Sequence, residues 1–348
     1  MELHFHQISD QSSRRALLSW MTAFAAWSGW SGSARSSTST SAARSAHEDY
    51  QLKSGNLDHL VVRHRRVIVD GLEVFYREAG HTGAPAVLLL HGFPTSSHMF
   101  RHLIPALADR YRVVAPDYPG FGYSALPQGP MQAYSFASIA QTMAAFTDTV
   151  GLSRYAIYIQ DYGAPIGLRL ALLRPERVTG LIVQNGNAYE EGLSEAWAPL
   201  RAYWKEPTYE HRERLLAWLD EAGTRLQYVA GLAETDLERF APDTWALDWG
   251  VLSRLGHIDH QLHLFGDYQT NVALYPTFHD YFRTHQPPAL IVWGAKDPFF
   301  TTEGARAYAR DLENAEIHLI NDAGHFALES HGPYVIALIR DFLQRRVG

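Results

Sequence analysis

From about residue 61 the sequence alternates short apolar runs with stretches of helical spacing, and this alternation restricts the fold more than any other feature. A continuously apolar run such as 86–90 is expected of a strand buried on both faces of a sheet. Further strands are predicted at residues 61–69, 72–77, 112–115, 155–159, 181–184, 289–293 and 317–320. Helices are predicted at residues 99–108, 136–150, 163–173, 303–312 and 334–346. Such alternation predicts an α/β fold, here a mostly parallel eight-stranded sheet with helices on both faces.

A second region, from Asn187 to about Gln286, interrupts the alternation. It is rich in tryptophan and other aromatic residues, and its apolar spacing is helical. We therefore predict a helical cap at residues 190–286, inserted between core segments 55–189 and 287–348.

The first 46 residues differ in kind from the rest of the chain. Arg14 and Arg15 precede a moderately apolar segment and then a stretch of small residues, and no acidic residue occurs between Asp10 and Glu48. This order predicts a twin-arginine export leader at residues 1–46, and hence a periplasmic protein. Its apolar part is too short to span a membrane, so stable membrane insertion is not expected. The alternative is a disordered extension on a cytoplasmic protein.

The composition argues against several kinds of site. The formal net charge is −7 and the basic run at residues 63–66 lies in a predicted edge strand, so nucleic-acid binding is not expected. The chain has no cysteine, which excludes disulfides and cysteine nucleophiles. The HExxH zinc motif is absent, and the histidines at 257 and 260 are interpreted as packing residues. No metal or organic cofactor is expected.

A strand-to-helix turn at residues 160–164 carries the first candidate for catalysis. Asp161 follows an apolar strand, and Gly163 lets the chain turn sharply into the next helix. A carboxylate in this position can attack a carbon that bears a leaving group or belongs to a strained ring, which forms an ester that water then splits. Taken alone, an Asp after a strand is more often an exposed turn residue or a helix N-cap.

Three other motifs follow predicted strands, at the sheet edge where ligands bind in such folds. His91 and Phe93 lie in a turn after one strand, Asp297 follows a second, and His325 follows the last. The order along the chain is nucleophile, acid, histidine. The backbone N–H groups of Phe93 and Tyr162 could face a developing oxyanion, and His91 is expected to support its loop through a hydrogen bond.

Residues 59–345 resemble the α/β-hydrolase fold, and specifically its branch of epoxide hydrolases and haloalkane dehalogenases. The resemblance is carried by His91-Gly92-Phe93-Pro94, Asp117-Tyr118-Pro119-Gly120-Phe121-Gly122, Asp161-Tyr162-Gly163, Asp297-Pro298 and Gly324-His325-Phe326. It implies that Asp161 attacks the substrate and that His325, oriented by Asp297, activates the water that hydrolyses the ester. Because neutral imidazole is needed, activity should fall as His325 protonates, near or below a pKa of about 6.5.

The resemblance also separates two chemistries by how the leaving group is stabilised. Dehalogenases of the family use a tryptophan directly after the nucleophile, where this chain has Tyr162, and an asparagine is replaced here by Phe93. Epoxide hydrolases use two cap tyrosines, for which the candidates are Tyr268 and Tyr203; in an alternative register Leu200 takes the place of Tyr203.

The resemblance therefore implies the opening of epoxides to diols without a cofactor. Haloalkane hydrolysis by the same nucleophile is the alternative, and a non-catalytic protein that binds small molecules is an alternative of another class. The expected substrate is a small hydrophobic organic molecule, with water as the second reactant; the oligomeric state is not predicted. The expected pocket residues are His91, Pro94, Trp197, Trp204 and Phe326.

Overall fold

Eight strands form one sheet in a computed structural model that describes residues 57–347. The strands are β1 (Arg63–Val69), β2 (Leu72–Ala79), β3 (Ala86–Leu90), β4 (Arg112–Pro116), β5 (Tyr155–Gln160), β6 (Val178–Gln184), β7 (Ala289–Gly294) and β8 (Glu316–Ile320). Their order in the sheet is β1-β2-β4-β3-β5-β6-β7-β8, and only the pairings of β2 with β1 and β4 are antiparallel. The prediction of a mostly parallel eight-stranded sheet is confirmed. The leader predicted at residues 1–46 lies outside the described residues.

The hairpin of β1 and β2 closes at Asp70 and Gly71, which adopt φ values of 50° and 83°. Both angles lie in the left-handed region that suits a tight hairpin turn. β1 is an edge strand, and its first four residues, Arg63 to Arg66, are exposed. The basic run therefore blunts a sheet edge, as predicted, because charged side chains disfavour pairing with another strand.

Thirteen helices lie within the described residues. They are α1 (Leu103–Leu107), α2 (Phe136–Thr149), α3 (Gly163–Leu173), α4 (Ala198–Lys205), α5 (Tyr209–Leu216), α6 (Glu221–Val229), α7 (Asp243–Leu252), α8 (His257–Asp267), α9 (Gln269–Ala273), α10 (Tyr275–His285), α11 (Thr302–Ala307), α12 (Ala327–Ser330) and α13 (Gly332–Arg346). Helix α1 is shorter than the predicted 99–108, and a 3-10 turn at Ser97–Phe100 precedes it. Pro105 has no N–H to donate to the carbonyl of residue 101, so the α-helix does not extend further back.

The core lies on both faces of the sheet, because successive side chains of a strand point to opposite faces. Leu88 and Leu90 of β3 join one cluster, which includes residues of α2, α3 and the segment between β6 and β7. Val87 and Leu89 join the other, with residues of α1 and α13. Burial on both faces is why these strands read as unbroken apolar runs.

The chain between β6 and β7 carries the seven helices α4 to α10. This agrees with the inserted helical cap expected for the fold; the exact boundaries at 190 and 286 stay predictions. No helix among residues 57–347 is long and apolar enough to cross a membrane.

Candidate active site

Asp161 stands between the end of β5 and the start of α3, with a φ of 49°. A non-glycine residue in this left-handed region is strained, and such strain persists where the surroundings hold it. The Ala164 N–H donates to the Asp161 carbonyl oxygen at 2.9 Å, which closes the turn. A Cβ on Gly163 would come within 3.0 Å of the Leu90 carbonyl group, so the turn requires glycine there.

The turn after β3 supplies the first contact to the Asp161 side chain. The Phe93 backbone N–H donates to Oδ1 at 2.7 Å. Gly92 allows this approach, because a Cβ there would come within 3.0 Å of both the Asp161 side chain and the Gln160 amide oxygen. Burial raises the pKa of Asp161, whereas His325 and the backbone N–H groups of Phe93 and Tyr162 act to lower it. Both backbone groups predicted as oxyanion donors thus lie beside this carboxylate.

His325 lies in the loop between β8 and α12 and is 1% exposed. Its Nδ1 is 2.8 Å from Oδ2 of Asp297, and its Nε2 is 3.7 Å from Oδ2 of Asp161. An ionised carboxylate only accepts hydrogen bonds, so Nδ1 carries the proton and Nε2 of the neutral ring is free to accept one. Burial disfavours the imidazolium, but the charge of Asp297 and its hydrogen bond outweigh burial and raise the pKa of His325.

Asp297 is held by groups from two loops. Its Oδ1 accepts hydrogen bonds from the backbone N–H groups of Phe299 at 2.8 Å and Phe300 at 3.1 Å. Its Oδ2 also accepts from the Asn185 amide at 2.8 Å. Asn185, directly after β6, was not among the predicted site residues; a polar residue that ends a buried strand is the only sequence signal for it.

Gln160, the last residue of β5, is the second residue that sequence reasoning missed. Its side-chain nitrogen lies 3.0 Å from Nε2 of His325. Because Nε2 of the neutral ring accepts, the amide N–H donates to it. The amide oxygen has no hydrogen-bond partner among the described residues.

A narrow cavity of about 30 Å³ opens above Asp161. Its lining residues come from the core turns and the cap: Phe93, Asp161, Tyr162, Trp197, Leu200, Trp218, Gln227, Phe265, Tyr268 and Phe299. Binding sites for small organic molecules are usually several hundred Å³. We therefore expect the aromatic side chains of the cap to move aside when a substrate enters.

The structure places the two predicted cap tyrosines differently. Tyr268 lines the cavity with Asp161, whereas Tyr203 lines a separate surface groove of about 330 Å³. Leu200, one helical turn before Tyr203, takes the cavity position instead. The choice of Tyr203 as a proton donor is therefore not supported by its position, and the alternative register with Leu200 describes the cavity.

Four of the five predicted pocket residues lie outside the cavity, and only Trp197 lines it. Trp204 lines the surface groove of Tyr203, and Pro94 lines another small pocket. His91 is fully buried; its ring stacks on Tyr118, and its Nε2 accepts from the Tyr118 backbone N–H at 3.3 Å.

Phe326, the fourth of these, packs behind the histidine. It stacks on Tyr228 at 4.0 Å and meets His325 edge to face at 5.1 Å. The side chains at the four positions therefore pack around the site and do not line the cavity.

The cavity holds two phenols, Tyr162 and Tyr268, that are at least 97% buried, with side-chain exposures of 3% and 1%. The Tyr162 hydroxyl has no hydrogen-bond partner among the described residues, and the Tyr268 hydroxyl faces that of Tyr275 without forming a hydrogen bond of normal geometry. Burial raises the pKa of each phenol well above its ordinary value, with the Asp161 charge contributing in the same direction. Both hydroxyls therefore carry their protons at neutral pH.

The residues around the site do not form a metal centre. No group of three or more His, Asp or Glu side chains within residues 57–347 is arranged to hold a metal ion.

Comparison with known proteins identifies the family. Residues 85–332 match the family model described as alpha/beta hydrolase fold. The uncharacterized hydrolase YNR064C of Saccharomyces cerevisiae is 43% identical over 294 residues, which cover 82% of this chain and 98% of the relative. Haloalkane dehalogenase 2 of Mycobacterium tuberculosis is 44% identical over 112 residues, which cover 32% of this chain and 38% of that protein.

A solved structure gives the same result. Epoxide hydrolase A of Mycobacterium thermoresistibile superposes with a TM-score of 0.64 at 25% identity, covering 82% of this chain and 98% of that one. Since the family model spans more than half of the chain, and YNR064C is similar over nearly its whole length, the protein belongs to the α/β-hydrolase fold family.

Proposed function

We propose that this hydrolase opens small neutral epoxides to diols through a covalent ester on Asp161. The observation that supports it most strongly is one cavity that combines the Asp161 carboxylate with the buried, protonated phenol of Tyr268. An opening epoxide becomes an alkoxide, and an alkoxide needs a proton. A charged substrate is disfavoured, because Asp161 is the only acidic or basic side chain, tyrosine aside, among the lining residues.

In the first step, Oδ2 of Asp161 attacks a ring carbon of the epoxide and the carbon–oxygen bond of the ring breaks. The oxygen takes the proton of Tyr268, which leaves a hydroxyalkyl ester and a tyrosinate. Oδ1, which accepts from the Phe93 N–H, becomes the carbonyl oxygen of that ester. The same N–H therefore stabilises the negative charge when the ester is later attacked.

In the second step, Nε2 of His325 takes a proton from water, and the hydroxide attacks the Asp161 carboxyl carbon. The tetrahedral intermediate collapses, the diol leaves with the carboxyl proton, and the imidazolium returns a proton to the tyrosinate. The net reaction adds one water to one epoxide. Asp297 stabilises the imidazolium through its 2.8 Å contact with Nδ1.

Haloalkane hydrolysis is the second candidate, suggested by the similarity to haloalkane dehalogenase 2. A departing halide needs N–H donors. The indole N–H of Trp197 already donates to the Phe299 carbonyl at 3.0 Å, and that of Trp204 to the Phe265 carbonyl at 2.7 Å. The indole N–H of Trp197 is therefore already committed, whereas that of Trp218, which also lines the cavity, makes no hydrogen bond to a described residue and is the donor that a halide would use.

The decisive experiment offers a panel of epoxides and haloalkanes to the wild type and to His325→Gln. The variant should form the ester but fail to hydrolyse it, so mass spectrometry should find the substrate's mass added to the peptide with Asp161. Diol release by the wild type assigns the epoxide reaction, and halide release assigns the alternative. Turnover by the wild type without an adduct in the variant would exclude the covalent mechanism.

An Asp161→Asn variant serves as the control, since it should give neither adduct nor product. If it retained every activity of the wild type, the site would act without this nucleophile.

Export through the leader at residues 1–46 is a separate proposal, tested by fractionating cells that express the full chain and an Arg14→Lys, Arg15→Lys variant.

A further inference from the structure

One polar side chain in the cavity has no part in the proposed reaction. Gln227, on α6, lines the cavity beside the site and is 6% exposed. The other lining side chains are Asp161, two tyrosines and six apolar or indole groups. It is therefore the one amide among the lining side chains, and it gives this apolar cavity a neutral hydrogen-bonding group.

The Gln227 amide makes no hydrogen bond to another side chain or to the backbone within residues 57–347, in contrast to its neighbours on α6. The Thr224 hydroxyl donates to the Asp220 carbonyl at 2.8 Å, and the Tyr228 hydroxyl donates to Asp248. An amide offers two donors and an acceptor oxygen. Because these groups are free in the cavity, a ligand whose oxygen pairs with the amide gains affinity from this side chain.

We propose that Gln227 is a specificity-determining residue that hydrogen-bonds an oxygen on the substrate. This role of Gln227 rests on the proposed function and defines the substrate class. The preferred substrates are small neutral epoxides that also carry an ether, hydroxyl or carbonyl oxygen. Such a substrate is preferred over a hydrocarbon epoxide of the same shape. A site built around a hydrogen bond discriminates against the analogue that lacks it, because the protein group is then left unpaired.

The test compares glycidyl methyl ether with epoxypentane, which differ by one oxygen in place of one methylene group. The wild type should favour the ether in kcat/KM. In Gln227→Met, which keeps the length of the side chain but removes the amide, the ratio of ether to hydrocarbon should fall by about three- to tenfold. Leu200→Met is the matched control, since it changes another lining residue without adding or removing a hydrogen-bonding group and should leave the ratio unchanged.

A binding measurement separates this inference from the proposed reaction. Tetrahydropyran and cyclohexane form an unreactive pair of the same shape, and their binding can be followed through the fluorescence of Trp197 and Trp218, which line the cavity. Gln227→Met should weaken tetrahydropyran binding and leave cyclohexane binding unchanged. If no epoxide is turned over but this difference appears, the reaction is wrong and the role of Gln227 stands. If the ether-to-hydrocarbon ratio and the difference in binding are both unchanged in Gln227→Met, the inference is overturned.

Discussion

The side chains of Gln160 and His325 meet at 3.0 Å, nitrogen to nitrogen, immediately behind the Asp161 carboxylate. The amide N–H donates to the lone pair that His325 needs as a general base. It therefore stabilises neutral imidazole, whereas Asp297 and Asp161 stabilise the imidazolium. These opposed contacts, together with burial, set the pH at which the base becomes available.

The first prediction concerns the pH profile. The pKa of His325 is raised above 6.5. Activity needs the neutral ring, so it is full above this pKa and is lost as the pH falls through it. The acid limb, the part of the pH profile where activity is lost on acidification, should therefore lie above pH 6.5. This places the limb higher than the sequence-based expectation. Gln160→Leu removes the donor to neutral imidazole and should move the limb upward by roughly half to one pH unit, measured as kcat/KM against pH.

Gln261→Leu is the matched control for that profile. Gln261, on α8, is also buried with an unpaired amide oxygen, but it lies outside the cavity lining and makes no hydrogen bond to Asp161, Asp297 or His325. Its replacement should leave the limb in place. A limb that stays in place or moves downward in Gln160→Leu would contradict the assigned contact.

The second prediction concerns the proton donor. Tyr268→Phe removes the hydroxyl at the cavity and should slow ester formation by about a hundredfold, measured as single-turnover adduct formation in the His325→Gln background. Tyr281→Phe removes another buried hydroxyl without a partner, on α10 and outside the cavity, and should leave the rate unchanged. Tyr203→Phe should also be silent, because Tyr203 lies in the surface groove. Equal rates for Tyr268→Phe and the wild type would remove Tyr268 from the mechanism.

The third prediction concerns Gly92. An added Cβ would overlap the Asp161 side chain and the Gln160 amide, so Gly92→Ala must displace the nucleophile from the Phe93 N–H. We expect kcat to fall by about a hundredfold or more, the loss typical of a removed oxyanion donor. Gly250→Ala is the control: it lies exposed in α7 with no atom within 4 Å of the added Cβ, and should stabilise the fold by about 0.5–1 kcal/mol. Activity in Gly92→Ala close to the wild type would show that this approach is not required.

The fourth prediction concerns stability and Asp248, a buried residue of α7 that accepts a hydrogen bond from Tyr228. Burial raises its pKa from 3.8 to about 7. The folded state therefore binds this proton more tightly than the unfolded state, and the free energy of unfolding falls as pH rises from about 4 to 7. Asp248→Asn keeps an acceptor for Tyr228 and cannot ionise, so its advantage over the wild type should grow by roughly 2–4 kcal/mol across that range.

Urea unfolding at a series of pH values measures this advantage. The exposed Asp243, at the start of the same helix, supplies the control variant Asp243→Asn, which makes the same chemical change on the helix surface. A constant difference for Asp248→Asn would mean that the carboxyl is already protonated, or already ionised, throughout the range.

Much of the main chain could be predicted from local pattern. The runs at β3, β5 and β7 were recognisable because a strand buried on both faces has no polar position, and α3 was predicted with its observed bounds. The departures occur where local chemistry overrides periodicity, as at Pro105 in α1. The turn residue Asp161 was recognisable as well, because the strand, the glycine and the helix all lie within a few positions of it.

The sequence by itself determined the fold class, the strand-end positions of Asp161, Asp297 and His325, and their order along the chain. Only the tertiary structure decided that Leu200 and not Tyr203 faces the cavity, that Gln160 and Asn185 hold the acid–base pair, and that Gln227 is left without a partner. The physical reason is the distance along the chain over which each effect acts, because periodicity and turn chemistry depend on only a few neighbouring residues. The rotation of each cap helix, and so the side chain it turns toward Asp161, depends on packing between segments far apart in the chain.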